Sequence, residues 1–181
     1  MQRWVDFFEP HFPSRADAEA FVAPLSALVP TDARHPAKIM MHQTRRLVSI
    51  ADDLPTVRPS RDALPLLFLL ICAENIAKMC DRFHQEGKSR HYVRLFFERH
   101  LMPQDKALLR SGITNHARQS LTLQAVVDAL YDVRCDVVHE GRYWGLTFRD
   151  AGTPMLNLDP DVVISILRLP LKNVVLSRVI L

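Results

Sequence analysis

An arginine and a histidine near the end of one predicted helix are the residues of this chain best suited to chemistry. They are Arg134 and His139, in the stretch LYDVRCDVVHEGRY, Leu130–Tyr143. Imidazoles gain and lose a proton near neutral pH, so a histidine can serve as a general acid or base. A guanidinium stays charged and can bind two oxygens of a phosphate. Together the two side chains could cleave a phosphodiester.

The same two residues also have a purely structural interpretation. A histidine in the last turn of a helix interacts favourably with the helix dipole, and an arginine can be structural. On an ideal helix Arg134 and His139 are about 140° apart. They reach a common cleft only if His139 turns at the helix end, where helices tighten or fray. Residue types alone leave both interpretations open.

The helix that carries this pair is predicted over residues 122–140, with Gly141 at the position where helices commonly end. Arg134 lies in the middle of a second apolar arc of this helix, so it should have an anionic partner or line a wet cleft. So wide an apolar stripe favours a second buried surface, most simply a two-fold interface with another copy. The first arc, expected to face the core, is Val126, Leu130, Val133 and Val137; the second is Leu123, Val127, Tyr131 and Val138.

The remaining elements predict a helical bundle followed by a change of pattern. The helix predicted over Asp62–His84 is apolar nearly all round until Glu74, which is typical of the central helix of a bundle. After Gly141, YWGLTF and TPMLNL flank RDAG, a hairpin signal, and VVISILRL (162–169) is β-branched enough for a third strand. Further helices are predicted over 15–29 behind Ser14, over 36–54, over 89–101, and over Leu171–Leu181 from Pro170.

We therefore predict a mainly α fold, a helical bundle with a small C-terminal β hairpin or sheet appendage. The chain divides into an N-terminal helical extension (1–30), the bundle (31–141), and a β hairpin with a C-terminal helix packed on the bundle (142–181). With 181 residues, 48% of them apolar and 24% charged, it has the composition of a globular protein.

Location is predicted from three negative features. The longest apolar run, residues 63–73, is shorter than the roughly 20 residues that span a bilayer. The N-terminus MQRWVDFFEPHFP lacks the pattern of a signal peptide. The three cysteines are odd in number and unclustered, which suits a reducing compartment. We expect a cytoplasmic protein without a membrane partner.

Positive charge is concentrated in one segment. From Gly87 to Arg118 the chain carries seven lysines and arginines and two acids, an excess larger than the net +3 of the whole chain. Aromatic residues are interleaved with these cations, so Lys88, Arg90 and Arg94 could track an RNA backbone. The solvated cationic face of an ordinary amphipathic helix explains the pattern equally well.

LYDVRCDVVHEG resembles the signature of HEPN domains (higher eukaryotes and prokaryotes nucleotide-binding). Ribonucleases of that family carry an arginine, four to six residues, and a histidine near the end of the last bundle helix. LLFLLICAENIAKM resembles the family's second helix with its embedded acid, and HYVRLFFERHL the segment before the motif helix. The β hairpin predicted after HEG is similar to that of the Apea-like branch. The resemblance covers roughly Thr31–Leu181; Cys135 departs from the polar residue often found after the arginine.

The resemblance implies a metal-independent endoribonuclease that acts on RNA as a homodimer, without a cofactor. Arg134 would stabilise the charge that builds up at phosphorus, and His139 would move a proton at the 2′-OH or the leaving 5′-oxygen. Attack by the 2′-OH would leave a 2′,3′-cyclic phosphate, so DNA should resist. Such domains commonly serve as toxins or in defence against phage, which adds an antitoxin or other partner protein to the expected partners.

Three further residues are candidates for supporting roles. Glu74 could orient Arg134 or His139, or it could simply pair with Lys78 one turn further along the helix. Asp136 could pair with the arginine, although solvent exposure is the simpler expectation. Tyr131 could stack on a base, with interface packing as its alternative.

Two other functions fit the same residues. The first is a non-catalytic module of the same fold that binds RNA, a nucleotide or a partner protein. The second is a metal-dependent phosphodiesterase. The sequence contains no HExxH, paired CxxC, GxSxG, GxxxxGK[ST] or GxGxxG pattern, so the usual motifs of metal, hydrolase, P-loop and dinucleotide sites are missing.

Overall fold

A computed structural model describes residues 1–81, 87–143, 145–146 and 155–179. In this part of the chain, helices dominate and a two-stranded antiparallel sheet joins them, so the predicted mainly α fold with a small β element is confirmed. The helices are α1 Gln2–Phe8, α2 Arg15–Ala27, α3 His35–Val57, α4 Ala63–Asp81, α5 Ser89–His100, α6 Pro103–Gly112, α7 Leu123–Glu140 and α8 Pro160–Val179. A 3-10 turn, Glu9–His11, follows α1, and the strands are β1 Ile113–Thr114 and β2 Met155–Leu156.

Helix α4 is the centre of the bundle. It packs against α3, α5, α7 and α8, and this explains why its sequence is apolar on nearly every side. Among the described helices it is the one long and apolar enough to cross a membrane, but 56% of its most apolar window is buried inside the protein. Such burial is typical of a core helix.

The predicted ends of two helices are confirmed in their capping geometry. The Ser14 hydroxyl accepts a hydrogen bond from the Asp17 amide (3.3 Å) at the start of α2. The Thr122 hydroxyl accepts one from the Ala125 amide (3.2 Å) at the start of α7. These side chains satisfy amides that the first helical turn leaves unpaired.

Helices α1 and α2 belong to the same hydrophobic core as the bundle. Phe8 is fully buried, and its ring lies 4.9 Å from that of Phe7 and 5.6 Å from that of Phe21. Both helices contact α3. The N-terminal extension therefore packs on the bundle through aromatic side chains.

The C-terminal region differs from its prediction in two respects. Residues 162–169 are not a strand but part of α8, which also continues through Pro170. The prediction was wrong because it was based on the β-branched composition of this segment and not on the spacing of its apolar residues. The buried residues of α8 recur every three or four positions, as on one face of a helix: Val163, Ile164, Ile166, Leu167, Leu171, Val174 and Val175.

The described partner of the C-terminal strand is a segment that the sequence analysis did not predict to be a strand. Strand β2 pairs with β1, with Ile113 opposite Leu156 and Thr114 opposite Met155. Gly112 precedes β1, and a Cβ there would meet the Leu158 side chain at 2.0 Å. Glycine is therefore needed for this close approach. The turn of the predicted hairpin, within residues 147–154, lies outside the described residues.

Candidate active site at the junction of α4, α5 and α7

The two apolar arcs of α7 have different environments from those that the sequence suggested. The predicted core face is buried throughout, which confirms it. In the second arc, Val127 and Tyr131 are buried as well, because α7 packs on α5 and α6 in addition to α4. Only toward the helix end is this arc open, with Val138 51% exposed. The width of the stripe thus no longer requires a second copy, and the homodimer stays a prediction.

Arg134 lies against the buried acid of α4, as expected for a guanidinium within an apolar arc. Its Nη2 atom is 3.7 Å from Oε2 of Glu74, and the two side chains are only 19% and 9% exposed. The Arg134 guanidinium carbon also lies 5.1 Å from the centroid of the Tyr131 ring, within cation–π range. The predicted anionic partner of Arg134 is therefore Glu74.

The other carboxylate oxygen of Glu74 has two partners of its own. Lys78 Nζ donates to Oε1 from the next turn of α4 at 2.5 Å, and the Ser89 hydroxyl donates to it from the start of α5 at 2.6 Å. Glu74 pairs with Lys78, as one interpretation expected, and it also contacts Arg134; its role in orienting Arg134 stays a prediction. A carboxylate this buried needs such compensation, and the contacts join α4, α5 and α7 at one point.

Two cations of α5, Arg90 and Arg94, are compensated by acids of α7. Arg94 forms a bidentate pair with Asp128, with contacts of 2.8 and 2.6 Å. Arg90 forms an ion pair with Asp132, and its guanidinium covers the Tyr131 ring at 4.9 Å. Two guanidiniums thus lie about 5 Å from the centroid of the Tyr131 ring, and a base would have to compete with them to stack on it.

Two of the three cations predicted to contact RNA are therefore engaged in ion pairs within the chain. Lys88, at the residue before α5, is exposed and has no ion pair among the described residues. The positive charges of Arg90 and Arg94 are balanced by aspartates of α7. The sequence analysis missed this, although a signal existed: two arginines four residues apart on α5 match two aspartates four residues apart on α7.

His139 lies in the last turn of α7, exposed to solvent. No hydrogen bond or ion pair joins it to Arg134 or to another described residue. The helix end is firmly closed: Gly141 adopts the left-handed conformation (φ 65°), and the Gly141 and Arg142 amides donate to the Asp136 carbonyl. This cap holds the last turn in place, so His139 does not turn toward Arg134 by fraying.

Asp136 contributes its backbone to this cap, and its side chain is half-buried. Its ion pair with Arg134, considered from the sequence, is not among the contacts of the guanidinium, which faces Glu74. No cluster of three or more metal-ligating side chains occurs within residues 1–81, 87–143, 145–146 and 155–179.

Comparison with known proteins does not assign the chain to a family: no family model, no curated protein and no solved structure matches it.

Proposed function

We propose that the protein is a metal-independent endoribonuclease of HEPN type, in which Arg134 and His139 act on RNA at a cleft between two copies. The observation that carries the proposal is the setting of Arg134. Its guanidinium lies 3.7 Å from a buried carboxylate and 5.1 Å from the centroid of an aromatic ring, and the side chain is 19% exposed. A positioned guanidinium is what the charge developing on a phosphoryl group requires.

The contacts of Glu74 leave Arg134 available for a substrate. Lys78 and Ser89 take one carboxylate oxygen at hydrogen-bond distance, whereas Arg134 lies 3.7 Å from the other. That separation is an ion pair rather than a short hydrogen bond, so Glu74 does not saturate the Nη groups, which could bind phosphate oxygens. The Nε–H group is shielded from solvent and makes no hydrogen bond among the described residues. Glu74 would thus fix the direction of Arg134 without saturating it.

His139 would supply proton transfer. It is exposed beside Val138, an apolar residue that is also open to solvent. On an ideal helix it is about 140° round the axis and roughly 7.5 Å along it from Arg134. One subunit alone would therefore present the two groups in different directions, and a two-fold cleft would combine the arginine of one copy with the histidine of the other. Dimerisation is part of the proposal for this reason.

The reaction would use the ribose 2′-OH as nucleophile. One imidazole would remove its proton, the phosphoryl charge would be stabilised by Arg134, and a second imidazole would protonate the leaving 5′-oxygen. The products would be a 2′,3′-cyclic phosphate and a free 5′-hydroxyl. The resemblance further suggests structured cellular RNA such as tRNA as substrate, a cytoplasmic site of action, and a role as a toxin or in phage defence with an antitoxin partner.

A non-catalytic binding module is the second candidate, and one observation favours it. Arg134 and His139 do not contact each other, and Arg90 and Arg94 are neutralised by acids of the same chain. In this alternative the fold would bind RNA, a nucleotide or a partner protein, with Lys88, the exposed cation before α5, as a candidate contact.

Incubation of the purified protein with total RNA in EDTA tests the proposal. We expect cleavage by the wild type, fragments ending in 2′,3′-cyclic phosphate, and loss of cleavage in His139→Ala and Arg134→Lys. His116→Ala is the matched control, because His116 is likewise exposed and lies in a loop outside the site. A substrate with 2′-deoxyribose throughout should resist.

Other results would select a rival. Inertness of the wild type and of His139→Ala alike, with retained RNA binding, would favour the binding module. Cleavage that disappears in EDTA would indicate a metal-dependent phosphodiesterase. A strictly monomeric protein by light scattering would exclude the shared cleft.

A further inference from the structure

A second group of basic side chains lies where α8 meets α3 and the 3-10 turn after α1. Lys172 of α8 is half-buried, and its Nζ atom is 4.5 Å from the centroid of the Phe7 ring. Arg168, one turn earlier on α8, has its Nε atom 2.7 Å from Oδ1 of Asp52 on α3, an ion pair without hydrogen-bond alignment. His11, from the 3-10 turn, lies near enough to Lys172 to be influenced by its charge.

Positive charge exceeds negative charge in this group. Lys172 and Arg168 lie one turn apart on α8, and Asp52 is the acid that ion-pairs with this group among the described residues. Burial lowers the pKa of Lys172, Arg168 lowers it further, and Asp52 opposes both. Burial, together with the charge of Lys172, lowers the pKa of His11.

Two polar atoms of the group lack a hydrogen bond. His11 Nε2 and Arg168 Nε are shielded from solvent, and neither makes a hydrogen bond within the part of the chain that the structure describes, although Arg168 Nε lies near the Asp52 carboxylate. Buried polar atoms are satisfied in the great majority of cases, and leaving a donor unsatisfied is costly. An anion bound among these side chains would accept from them and would also balance the excess charge.

We propose that this junction is a binding site for a phosphate-class oxyanion, held by His11, Arg168 and Lys172. The ammonium and guanidinium groups supply charge-assisted hydrogen bonds, and a neutral imidazole donates through Nε2–H. The bound anion would connect the N-terminal segment to α8 and α3. The site shares no helix with the Arg134 site, which is built from α4, α5 and α7, and it does not depend on the proposed ribonuclease activity.

Calorimetric titration of the full chain with inorganic phosphate, at constant ionic strength and with chloride as counter-titrant, tests the site. We expect the wild type to bind phosphate, and Lys172→Met to bind it about tenfold more weakly or worse, since a charge-assisted hydrogen bond is lost. Lys106→Met is the matched control: Lys106 is also partly exposed, but it donates to the Glu98 carbonyl away from this junction. Its affinity for phosphate should equal that of the wild type.

Asp52→Asn separates a binding role from a structural one. Removal of the carboxylate that competes for Arg168 should tighten phosphate binding severalfold, even as the unliganded protein loses its ion pair. Absence of binding by the wild type, or equal affinity in the wild type and Lys172→Met, would overturn the proposal. If Lys172→Met does not fold, Asp52→Asn decides: unchanged or weaker binding in that variant counts against the site.

The source of the phosphate group can be identified in the same titration. Adenosine 5′-monophosphate that binds more tightly than inorganic phosphate would indicate a nucleotide ligand. Equal affinity for the two would indicate recognition of the phosphate group alone.

Discussion

Replacing Glu74 with glutamine should lower the free energy of unfolding by about 2 kcal/mol. The amide keeps the shape of the side chain and can still accept from Ser89, but the charge facing Lys78 and Arg134 disappears. Breaking a fully buried ion pair costs roughly 3–5 kcal/mol, whereas exposed pairs contribute about 0–1 kcal/mol. Glu74 is 9% exposed, but its partners are 29% and 19% exposed and can turn partly toward water. The expected loss therefore falls between the two limits.

The distances also predict how this loss divides between the two cations. Lys78 lies 2.5 Å from the carboxylate and Arg134 lies 3.7 Å from it. In double-mutant cycles with Lys78→Met and Arg134→Met, the coupling to the lysine should be about 1–2 kcal/mol, and the coupling to the arginine about half of that. Urea denaturation followed by circular dichroism measures both. Glu98→Gln is the control, because Glu98 is an exposed glutamate of α5.

One result would refute this reasoning about the site. If Glu74→Gln and Glu98→Gln were equally stable, the carboxylate would not be holding α4, α5 and α7 together, and Arg134 would not be positioned by it. A larger coupling to Arg134 than to Lys78 would show that the guanidinium is bound tightly to Glu74. It would then be less available to a phosphate than the proposed mechanism requires.

Three other perturbations test the fold and the freedom of the site. Gly112→Ala should lower the free energy of unfolding, measured by urea denaturation, by about 1–3 kcal/mol, because its Cβ would overlap Leu158. Adding Leu158→Ala should reduce this penalty. Gly145→Ala is the control and should be nearly neutral, because a Cβ at Gly145 would meet open space. Burial raises the pKa of Cys72 from 9.0 to about 12, so the native thiol should resist iodoacetamide at pH 8. Because the thiol of the unfolded chain ionises first, the contribution of Cys72 to the free energy of unfolding should fall as the pH rises from 9 to about 12. His139→Ala should change stability by no more than about 0.5 kcal/mol, because the side chain is exposed and forms no hydrogen bond or ion pair with another described residue. A loss of RNA cleavage in this variant would therefore not reflect unfolding.

Local features of the sequence predicted α7 well. Thr122 and Gly141 mark its ends because a cap depends on residues a few positions apart. Its core face followed from the spacing of apolar residues alone. The same reasoning failed for residues 162–169, where a β-branched run fits a strand locally but its buried positions follow helical spacing once α8 packs on α3 and α4. Propensity is a weak signal that tertiary packing overrides.

The sequence by itself therefore determined the helical character of the chain, the bounds of α7, and the presence of an arginine, a histidine and a buried acid that could form a site. Only the tertiary structure decided which of them meet. Arg134 faces Glu74, 60 positions earlier, and Arg94 is neutralised by Asp128 rather than left open. Helical periodicity states the direction in which a side chain points, but not which helix lies there, because that depends on how separate segments of the chain pack around α4.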